Sequence, residues 1–499
     1  MSSTSPYTPI DEIDAIISQT RTNYKSSPPT SYQQRLKNLK ALKAMLENHT
    51  EDFNNAMIAD LRQNKLLCMS EISGSMHEID WQIANLKRNM QVKSVHSTSV
   101  FSFPGSCEIV PEPLGLALII SPWNYPLTLV FKPLAGAIAA GNAVIVKPSE
   151  ISANCTKLFA ELIPKYLDQT HFRIITGAAD ETTQILKSQF DYIFYTGNPF
   201  VAKIIAKAAA EYLTPVTLEL GGKSPCYIDE SASWSVMLKR LTWGKMLNCS
   251  QTCVTPDYIL VKRSVRDRLV QDLKKELHTF YGDNPQENPD YSRIISDRHC
   301  KRLQSLIEEV KDCVVHGGQV DLTDKYVAPT ILLNPPLDAK VMQEEIFGPI
   351  LPIIAVDDEN EAIEFVNARE KPLALYVFST HKSIVDKFIA KTSSGGFCSN
   401  DVAVHVVVPQ LPFGGVGNSG MGAYNGDYTF NTFSHLKSVV RKQNWMDSAL
   451  RYPPYTDRGI QLLNFLNKIP PPNFGKIFRM MMPVGAIAIA WWYFGQMQH

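Results

Sequence analysis

The sequence predicts an α/β fold in which helices cover both faces of a parallel sheet. Short apolar runs without a polar face follow one another along the chain, and helical stretches such as Phe200–Glu211 separate them. These runs are Leu116–Ile120, Ala143–Val146, Phe172–Ile175, Tyr192–Tyr195 and Val216–Leu218. Strands buried on both faces and joined by helices are typical of parallel sheets. Because such sheets bind ligands at the carboxyl ends of their strands, we expect a nucleotide-binding domain here.

Helices precede this sheet, and a second α/β region follows it. Ser31 is expected to cap a leucine-periodic helix, and a second helical stretch runs from about residue 71 to 89. Residues 96–110 alternate in polarity, which indicates an extended hairpin. Further strands are predicted at Tyr258–Val261 and Ile350–Ile354, and further helices at Val265–Leu277 and Glu359–Ala368.

Composition excludes several classes of protein. The 499 residues include 49 basic and 49 acidic side chains, so zero net charge gives no electrostatic reason to expect a nucleic-acid partner. The nine cysteines are scattered, without a C-x-x-C pair, which argues against a disulfide framework and against a structural zinc site. We therefore expect a reducing compartment and no metal centre.

The C-terminal tail differs from the rest of the chain because residues 480–495 carry no charge. Sixteen helical residues span about 24 Å, and extension to residues 477–497 makes a membrane crossing feasible. Trp491 and Trp492 would lie near the far interface, and Lys476 and Arg479 on the near side. The alternative is a buried or dimer-packed terminal helix, but the absence of a polar face favours a membrane anchor.

Two glycine-rich motifs fail as phosphate-binding signatures. Gly415–Gly420 has the pattern G-x-G-x-x-G, but prolines precede it and Gly422 and Gly426 follow it, so we expect an irregular loop. Gly222-Lys223-Ser224 resembles the end of a Walker loop, but Thr217 occupies the position that requires glycine.

Three residues stand where catalytic groups are plausible. Cys253 follows a polar run unlike a core strand, Glu219 ends an apolar strand beside two glycines, and Asn124 lies just after the strand Leu116–Ile120. They are candidates for a nucleophile, a general base with a raised pKa and an oxyanion-binding amide. A small buried cysteine and a glutamate in a salt bridge remain the alternative interpretations.

Four segments of the chain resemble signatures of the aldehyde dehydrogenase superfamily. They are Ser121–Pro126, Leu218–Pro225, Gln251–Cys253 and Glu345–Pro349. The separation of 34 residues between Glu219 and Cys253 is also the one typical of that family. The chain start and the Asn-x-x-Gln-Thr-Cys form resemble its class 3 branch, and the tail is similar to that of membrane-bound fatty aldehyde dehydrogenases.

The resemblance implies a role for each candidate. The Cys253 thiolate attacks the aldehyde to give a thiohemiacetal, while the Asn124 side chain and the Cys253 N–H hold the oxyanion. Hydride transfer to NAD, with NADP also possible, leaves a thioester that water activated by Glu219 hydrolyses. The implied cofactor-binding residues are Trp123, Lys147, Glu150, Thr196, Gly197, Glu345 and Phe347.

This chain departs from the usual pattern of the family at three positions. Ser250, Asn198 and Ala202 stand where many members have glycine, serine and glycine, respectively. Because only glycine takes positive φ freely, Ser250 raises the possibility of a reshaped active-site loop.

The resemblance also implies how the chain is organised. An NAD(P)-binding domain is expected at residues 1–93 and 114–222, a catalytic domain at 223–412, and oligomerisation segments at 94–113 and 423–445. A substrate-gate helix is expected at 457–469 and a membrane anchor at 477–497, although the helix could instead pack on a partner subunit. We expect a homodimer without nucleic acid, its catalytic part in the cytosol and its tail in the mitochondrial outer membrane, endoplasmic reticulum or peroxisome.

The expected activity is NAD(P)-dependent oxidation of long-chain aldehydes. The alternatives are a membrane-tethered nucleotide-binding protein with little turnover, a dehydrogenase of small aldehydes, and a cofactor-independent hydrolase acting through Cys253.

Overall fold

The computed structural model describes residues 7–96, 102, 105–445, 447 and 449–468. The chain divides into two compact units, one formed by Met1–Met90 with Glu112–His435 and the other by Gln91–Pro111 with Leu436–His499. Both large sheets and all the candidate site residues belong to the first unit.

The first unit contains most of the helices, and α16 belongs to the second. The α-helices of the described residues are α1 (Ile10–Ser26), α2 (Tyr32–Asn48), α3 (Thr50–Leu61), α4 (Lys65–Asn89), α5 (Thr128–Ala140), α6 (Ala153–Tyr166), α7 (Ala179–Ile185), α8 (Pro199–Glu211), α9 (Trp234–Met246), α10 (Arg266–Tyr281), α11 (Asp297–Glu309), α12 (Lys340–Gln343), α13 (Glu359–Asn367), α14 (Lys382–Lys391), α15 (Asp427–Thr432) and α16 (Asp457–Lys468).

The strands form two large sheets and two small ones. They are β1 (Lys93–Val95), β2 (Gly105–Pro113), β3 (Leu116–Ile120), β4 (Ala143–Lys147), β5 (Phe172–Ile174), β6 (Tyr192–Thr196), β7 (Val216–Glu219), β8 (Pro225–Ile228), β9 (Tyr258–Lys262), β10 (Val314–His316), β11 (Val320–Asp321), β12 (Tyr326–Val327), β13 (Thr330–Leu333), β14 (Ile350–Val356), β15 (Ala374–Phe378), β16 (Gly396–Ser399), β17 (Gly420–Met421) and β18 (Ser434–Lys442).

The first large sheet has the strand order β17-β7-β6-β3-β4-β5, and only β17 runs antiparallel to its neighbour. The central strand β3 explains why the predicted strands lack a polar face. Ala117 and Ile119 pack into the core that contains residues of α2, α5 and α6. Leu116, Leu118 and Ile120 pack into a separate core with residues of α1, α7 and α8. The predicted α/β class is therefore confirmed for this region.

The second large sheet has the strand order β10-β13-β14-β9-β8-β15-β16, with β10 as its antiparallel edge. The predicted strands Tyr258–Val261 and Ile350–Ile354 are its members β9 and β14, each slightly longer than predicted. The predicted helices Val265–Leu277 and Glu359–Ala368 correspond to α10 and α13. A second predominantly parallel α/β layer therefore follows the first along the chain.

The predicted helix cap at Ser31 is also confirmed. The Ser31 hydroxyl accepts the Gln34 N–H at 3.2 Å, at the start of α2. This side chain satisfies one of the N–H groups that the first turn of a helix leaves without an intrahelical partner.

The second unit contains β1, most of β2 and β18, and the helix α16. Strands β1 and β2 pair antiparallel, with Lys93 opposite Ile109, so the hairpin predicted at residues 96–110 begins earlier, at Lys93, and its second strand ends later, at Pro113. Helix α16 spans Asp457–Lys468, within the helix predicted at residues 457–469. Within the described residues, no helix is both long and apolar enough to cross a bilayer. The predicted anchor at 477–497 lies outside the described residues.

Candidate active site

The loop carrying Cys253 has an unusual backbone. It follows α9 and begins with Asn248, Cys249 and Ser250, whose φ angles are +52°, +54° and +64°. Left-handed backbone costs about 1–2 kcal/mol per residue when a side chain is present. Buried side-chain hydrogen bonds hold this loop in place: the Asn248 amide donates to the Asn124 carbonyl at 2.8 Å.

Ser250 therefore adopts the conformation for which glycine is usually required. Its hydroxyl donates to the Lys245 carbonyl at 2.7 Å, so the buried side chain has a backbone partner. The serine does not prevent the left-handed turn, but it must adopt a conformation that glycine reaches at lower energy.

The partly buried Cys253 lies near two acidic side chains. Burial raises the pKa of the thiol, and the nearby carboxyl groups of Glu345 and Glu219 raise it further. The neutral thiol is therefore favoured in this state, and formation of the reactive thiolate requires a change in the electrostatics of the site.

Asn124 lies directly against the cysteine loop. It follows the carboxyl end of β3 and is 4% exposed. Its Nδ2 donates to the Gln251 carbonyl at 3.0 Å. An amide nitrogen carries two hydrogens, so the second remains available to a substrate oxygen. Gln251 is itself fixed, because its side-chain amide donates to the Arg293 carbonyl at 2.9 Å and accepts the Ile295 N–H at 2.9 Å.

Glu219 is the last residue of β7 and is 2% exposed. Neither of its carboxyl oxygens has a hydrogen-bond partner among the described residues. Burial consequently raises the pKa of this carboxyl well above its ordinary value. A buried and unpartnered carboxyl of this kind can exchange a proton with water once a reactant enters the site.

The residues expected to hold the adenosine end of the cofactor lie at the carboxyl edge of the first sheet. Lys147 ends β4, and its Nζ lies 2.8 Å from the Glu150 carboxylate. Thr196 ends β6, and its buried hydroxyl has no partner among the described residues. At Gly197 a side chain would collide with the Tyr195 hydroxyl, since a Cβ there would lie only 2.2 Å away.

The N-terminus of α8 follows these residues, and Asn198 caps it. The Asn198 side chain accepts the Val201 N–H at 2.9 Å. One of the N–H groups at the helix end expected to bind the pyrophosphate therefore already has a partner within the protein. Ala202 is 2% exposed and packs into the core beneath the sheet. The methyl group at this position is therefore accommodated.

The residues expected at the nicotinamide end also lie close together. The Phe347 and Trp123 rings meet edge to face, with their centroids 5.5 Å apart. The Glu345 carboxyl is so close to Gly221 that a Cβ there would lie 2.2 Å from it. Burial and the neighbouring Asp257 raise the pKa of Glu345 to about 8. A dinucleotide fits these groups. They are the Thr196 hydroxyl, which has no partner among the described residues, the Phe347–Trp123 ring pair and the buried Glu345 carboxyl.

Comparison with known proteins identifies the family. The model of the aldehyde dehydrogenase family matches residues 3–439. The chain belongs to the aldehyde dehydrogenase family. It is thus an NAD(P)-dependent dehydrogenase that oxidises aldehydes to carboxylic acids.

Curated relatives and a solved structure cover almost the whole dehydrogenase. The chain is 46% identical to aldehyde dehydrogenase family 3 member A2 of Rattus norvegicus, over 95% of this chain and 98% of the relative. It is 46% identical to the dimeric NADP-preferring aldehyde dehydrogenase of Canis lupus familiaris, over 89% and 98%. The substrate-bound structure of Staphylococcus aureus AldH has a TM-score of 0.88 and 41% identity, with 91% of this chain and 99% of that one covered.

The two rejected phosphate motifs have structural roles in the dehydrogenase. The segment Gly415–Gly420, predicted as an irregular loop, contains the 3₁₀ turn Gly417–Ser419, and Gly420 begins β17 and pairs with Glu219 at the end of β7. Lys223 of the Walker-like segment forms a short ion pair with Asp257 and donates to the Val341 carbonyl at 2.8 Å. Asp257 in turn accepts the Ile346 N–H at 3.0 Å, beside Glu345.

Sequence reasoning missed several residues that support the site. His299 meets Trp123 edge to face at 5.1 Å. Lys245 is 1% exposed, and its ammonium has no partner among the described residues. Glu71 is 2% exposed and contacts the start of α5. In the sequence, Lys245 and Glu71 occupy helix positions where apolar residues would be expected. This signal could have marked both residues as buried, but it does not show which residues they contact.

Proposed function

We propose that this dehydrogenase oxidises long-chain aliphatic aldehydes, with Cys253 as the nucleophile. The observation that carries the proposal is the convergence of Cys253, the Asn124 amide and the unpartnered Glu219 carboxyl in one buried site. These groups supply a nucleophile, an oxyanion donor and a base, as aldehyde oxidation through a thioester requires.

In the proposed reaction, the Cys253 thiol passes its proton to water, the sulfur bonds to the aldehyde carbon, and the electron pair of the C=O π bond moves to the oxygen. The second Asn124 N–H and the Cys253 backbone N–H stabilise the negative charge that develops on the oxygen. NAD(P), when held by the cofactor-binding residues, would supply the hydride acceptor, and loss of hydride from the carbon bound to Cys253 would leave a thioester. In its ionised form, the Glu219 carboxylate takes a proton from water as the water oxygen bonds to the thioester carbon. The C–S bond then breaks, and Glu219 returns the proton to the Cys253 sulfur as the acid is released.

The cofactor would be held at both ends of the site. Lys147 and Glu150 would bind the adenosine ribose, and Thr196 and Gly197 would contact the pyrophosphate. At the other end Glu345 would bind the nicotinamide ribose, with Phe347 and Trp123 packing against the ring. Glu150 would oppose a 2′-phosphate by charge, whereas its ion-pair partner Lys147 would attract one, so we propose that the site takes NAD and can also take NADP.

The proposed preference for long-chain aldehydes rests on the C-terminal residues of the protein. Helix α16 exposes Ile460, Leu462 and Phe465, and we propose that this apolar surface gates substrate entry. The apolar residues 477–497 would anchor the protein in a mitochondrial outer, endoplasmic reticulum or peroxisomal membrane, with the catalytic part in the cytosol. Aldehydes dissolved in the bilayer gain about 0.8 kcal/mol per CH₂, so an anchored enzyme meets long chains preferentially.

The proposed organisation assigns cofactor binding to residues 1–93 and 114–222, and the nucleophile to 223–412. We further propose that residues 94–113 and 423–445 mediate homodimer formation. The name of the canine relative, which includes the word dimeric, supports this part of the proposal.

NADH formation at 340 nm with hexadecanal tests the proposed function. The intact protein should turn over, and Cys253→Ala should abolish the signal while binding of NAD persists. Activity that survives in Cys253→Ala would contradict the nucleophile. A folded protein that binds NAD but oxidises neither hexadecanal nor shorter aldehydes would instead be a tethered nucleotide-binding protein.

A further inference from the structure

Helix α4 carries two buried carboxyl groups on one face, Glu71 and Glu78. They are 2% and 3% exposed and lie about two helical turns apart. Each accepts one hydrogen bond from a glutamine side chain, Gln63 at 3.0 Å and Gln82 at 2.9 Å, respectively. Each also accepts two hydrogen bonds from a distant segment of the chain. The two glutamates therefore have matched surroundings but contact different elements.

Glu71 fixes the start of α5. Its Oε2 accepts the Leu127 N–H at 3.0 Å and the Thr128 N–H at 3.2 Å. The Thr128 hydroxyl also donates to the Glu71 carbonyl at 3.3 Å. The first N–H groups of a helix lack intrahelical partners, and a buried carboxyl satisfies two of them here.

The segment immediately before this helix start carries the groups that contact the nucleophile loop. Asn124 donates to the Gln251 carbonyl, and the Tyr125 hydroxyl lies 2.6 Å from the Thr252 hydroxyl. Only two residues separate Asn124 from Leu127, whose N–H Glu71 binds. A shift of the helix start would therefore move the amide relative to Cys253.

We propose that Glu71 is a positioning residue that holds the Asn124 amide where it meets the developing oxyanion. This inference rests on the proposed role of Asn124. Glu71 itself contacts no reacting atom; it acts through the backbone of residues 124–128. A displacement of about 1 Å costs up to about 100-fold in rate, so the effect is measurable.

Glu78 provides the matched control. Its carboxyl accepts the Gly426 N–H at 3.0 Å and the Thr429 hydroxyl at 2.8 Å, away from the segment that carries Asn124. Truncation of either glutamate removes the same chemical group from the same helix. A general loss of stability would therefore appear in both variants, whereas a displacement of Asn124 would appear in the Glu71 variant alone.

The experiment is a double-mutant cycle on the single-turnover rate of NADH formation with saturating NAD and hexadecanal. Asn124→Ala should slow the reaction by about 100-fold or more, and Glu71→Ala by about 10- to 100-fold. When Glu71→Ala is added to Asn124→Ala, the rate should fall by less than about a further threefold, since both changes remove the same contact between the Asn124 amide and the oxyanion. Glu78→Ala should stay within about threefold of the intact protein.

Glu71→Gln completes the test, because the amide oxygen still accepts both N–H groups and Gln63 can reverse its own amide. It should restore the rate to within about threefold. If Glu71→Ala does not fold, Glu71→Asp replaces it, with Glu78→Asp as the control. Equal effects at Glu71 and Glu78, or multiplicative effects with Asn124→Ala, would overturn the inference alone. An unchanged rate in Asn124→Ala would overturn both this inference and the assigned oxyanion donor.

Discussion

At the scale of single residues, the proposed catalytic groups Cys253, Glu219 and Asn124 are held in place by contacts between segments that are distant along the chain. Cys253, Glu219 and Asn124 stand at strand ends or in polar runs, which local patterns reveal. The Lys223–Asp257 pair and the Glu71 contacts join residues that are distant along the chain, so no local pattern contains them. Ser250 shows the same limit: its identity raised a question that only the hydrogen bond to Lys245 answers.

Substitution of Ser250 should separate backbone strain from hydrogen bonding. Ser250→Ala keeps the backbone strain that any side chain causes at φ +64°, and it removes the hydrogen bond to the Lys245 carbonyl. Ser250→Gly also removes that bond but relieves the strain, so it should be about 1–2 kcal/mol more stable than the alanine variant. Urea unfolding measures both, and equal stability of the two variants would contradict the strain.

Lys245→Met should stabilise the protein at pH 7. The buried ammonium has no partner among the described residues, and burial lowers the pKa of Lys245 from 10.5 to about 8. Replacement by an apolar residue of similar length should raise the free energy of unfolding by about 1–4 kcal/mol. Lys223→Met is the control, because it removes a partner of Asp257 and should destabilise the protein.

The pH dependence of stability gives an independent check on Lys245. The folded pKa lies below the unfolded one, so between about pH 8 and 10.5 the unfolded chain binds more protons. The contribution of Lys245 to stability therefore rises with pH across that window and is constant above it. Lys245→Met should lack this rise, and a parallel pH profile in the two proteins would contradict the lowered pKa.

At the scale of elements, the strands were predicted closely, and their ends differ in an informative way. The predicted apolar runs ended at Val146, Tyr195 and Leu218, but the strands continue through Lys147, Thr196 and Glu219. A polar residue ends an apolar run in the sequence, whereas backbone pairing continues to that residue. The last residue of each of these strands is thus a candidate functional group, directed to the ligand-binding edge of the sheet.

Arg35→Met should destabilise α5 from the end opposite Glu71. The buried Arg35 guanidinium donates to the Ala139 and Ala140 carbonyls at 3.0 and 2.7 Å, and burial lowers its pKa to about 10. Its loss leaves two carbonyls of the last helical turn without a partner and should cost about 2–4 kcal/mol.

Arg240→Met is the control for this prediction. Arg240 is about half exposed, and its guanidinium donates to the Asn400 carbonyl at 2.6 Å. Its replacement should change the free energy of unfolding by less than about 1 kcal/mol. Equal costs for the two arginine variants in urea unfolding would contradict the capping role of Arg35.

At the scale of the whole molecule, the proposed membrane attachment and substrate preference depend on the same C-terminal part. A chain truncated after Thr456 lacks α16 and the apolar tail. It should lose binding to phospholipid vesicles, and its ratio of kcat/KM for hexadecanal over butanal should fall by at least about tenfold.

A second truncation distinguishes the two functions of this part. A chain that ends at Lys468 keeps α16 and should retain a higher chain-length ratio than the shorter chain, although neither should bind vesicles. Equal ratios in the intact and both truncated proteins would contradict the gating role of the helix. Vesicle binding by the truncated chains would contradict the anchor.

The central claim, that oxidation proceeds through an acyl group on Cys253 which Glu219 releases, is tested most directly by trapping that group. Glu219→Gln should be incubated with NAD and decanal, and the intact protein mass measured after rapid acid quenching. We expect an increase equal to decanal less two hydrogens, located on the Cys253 peptide, dependent on NAD and absent in Cys253→Ala. No adduct, or an adduct on another cysteine, would contradict the account.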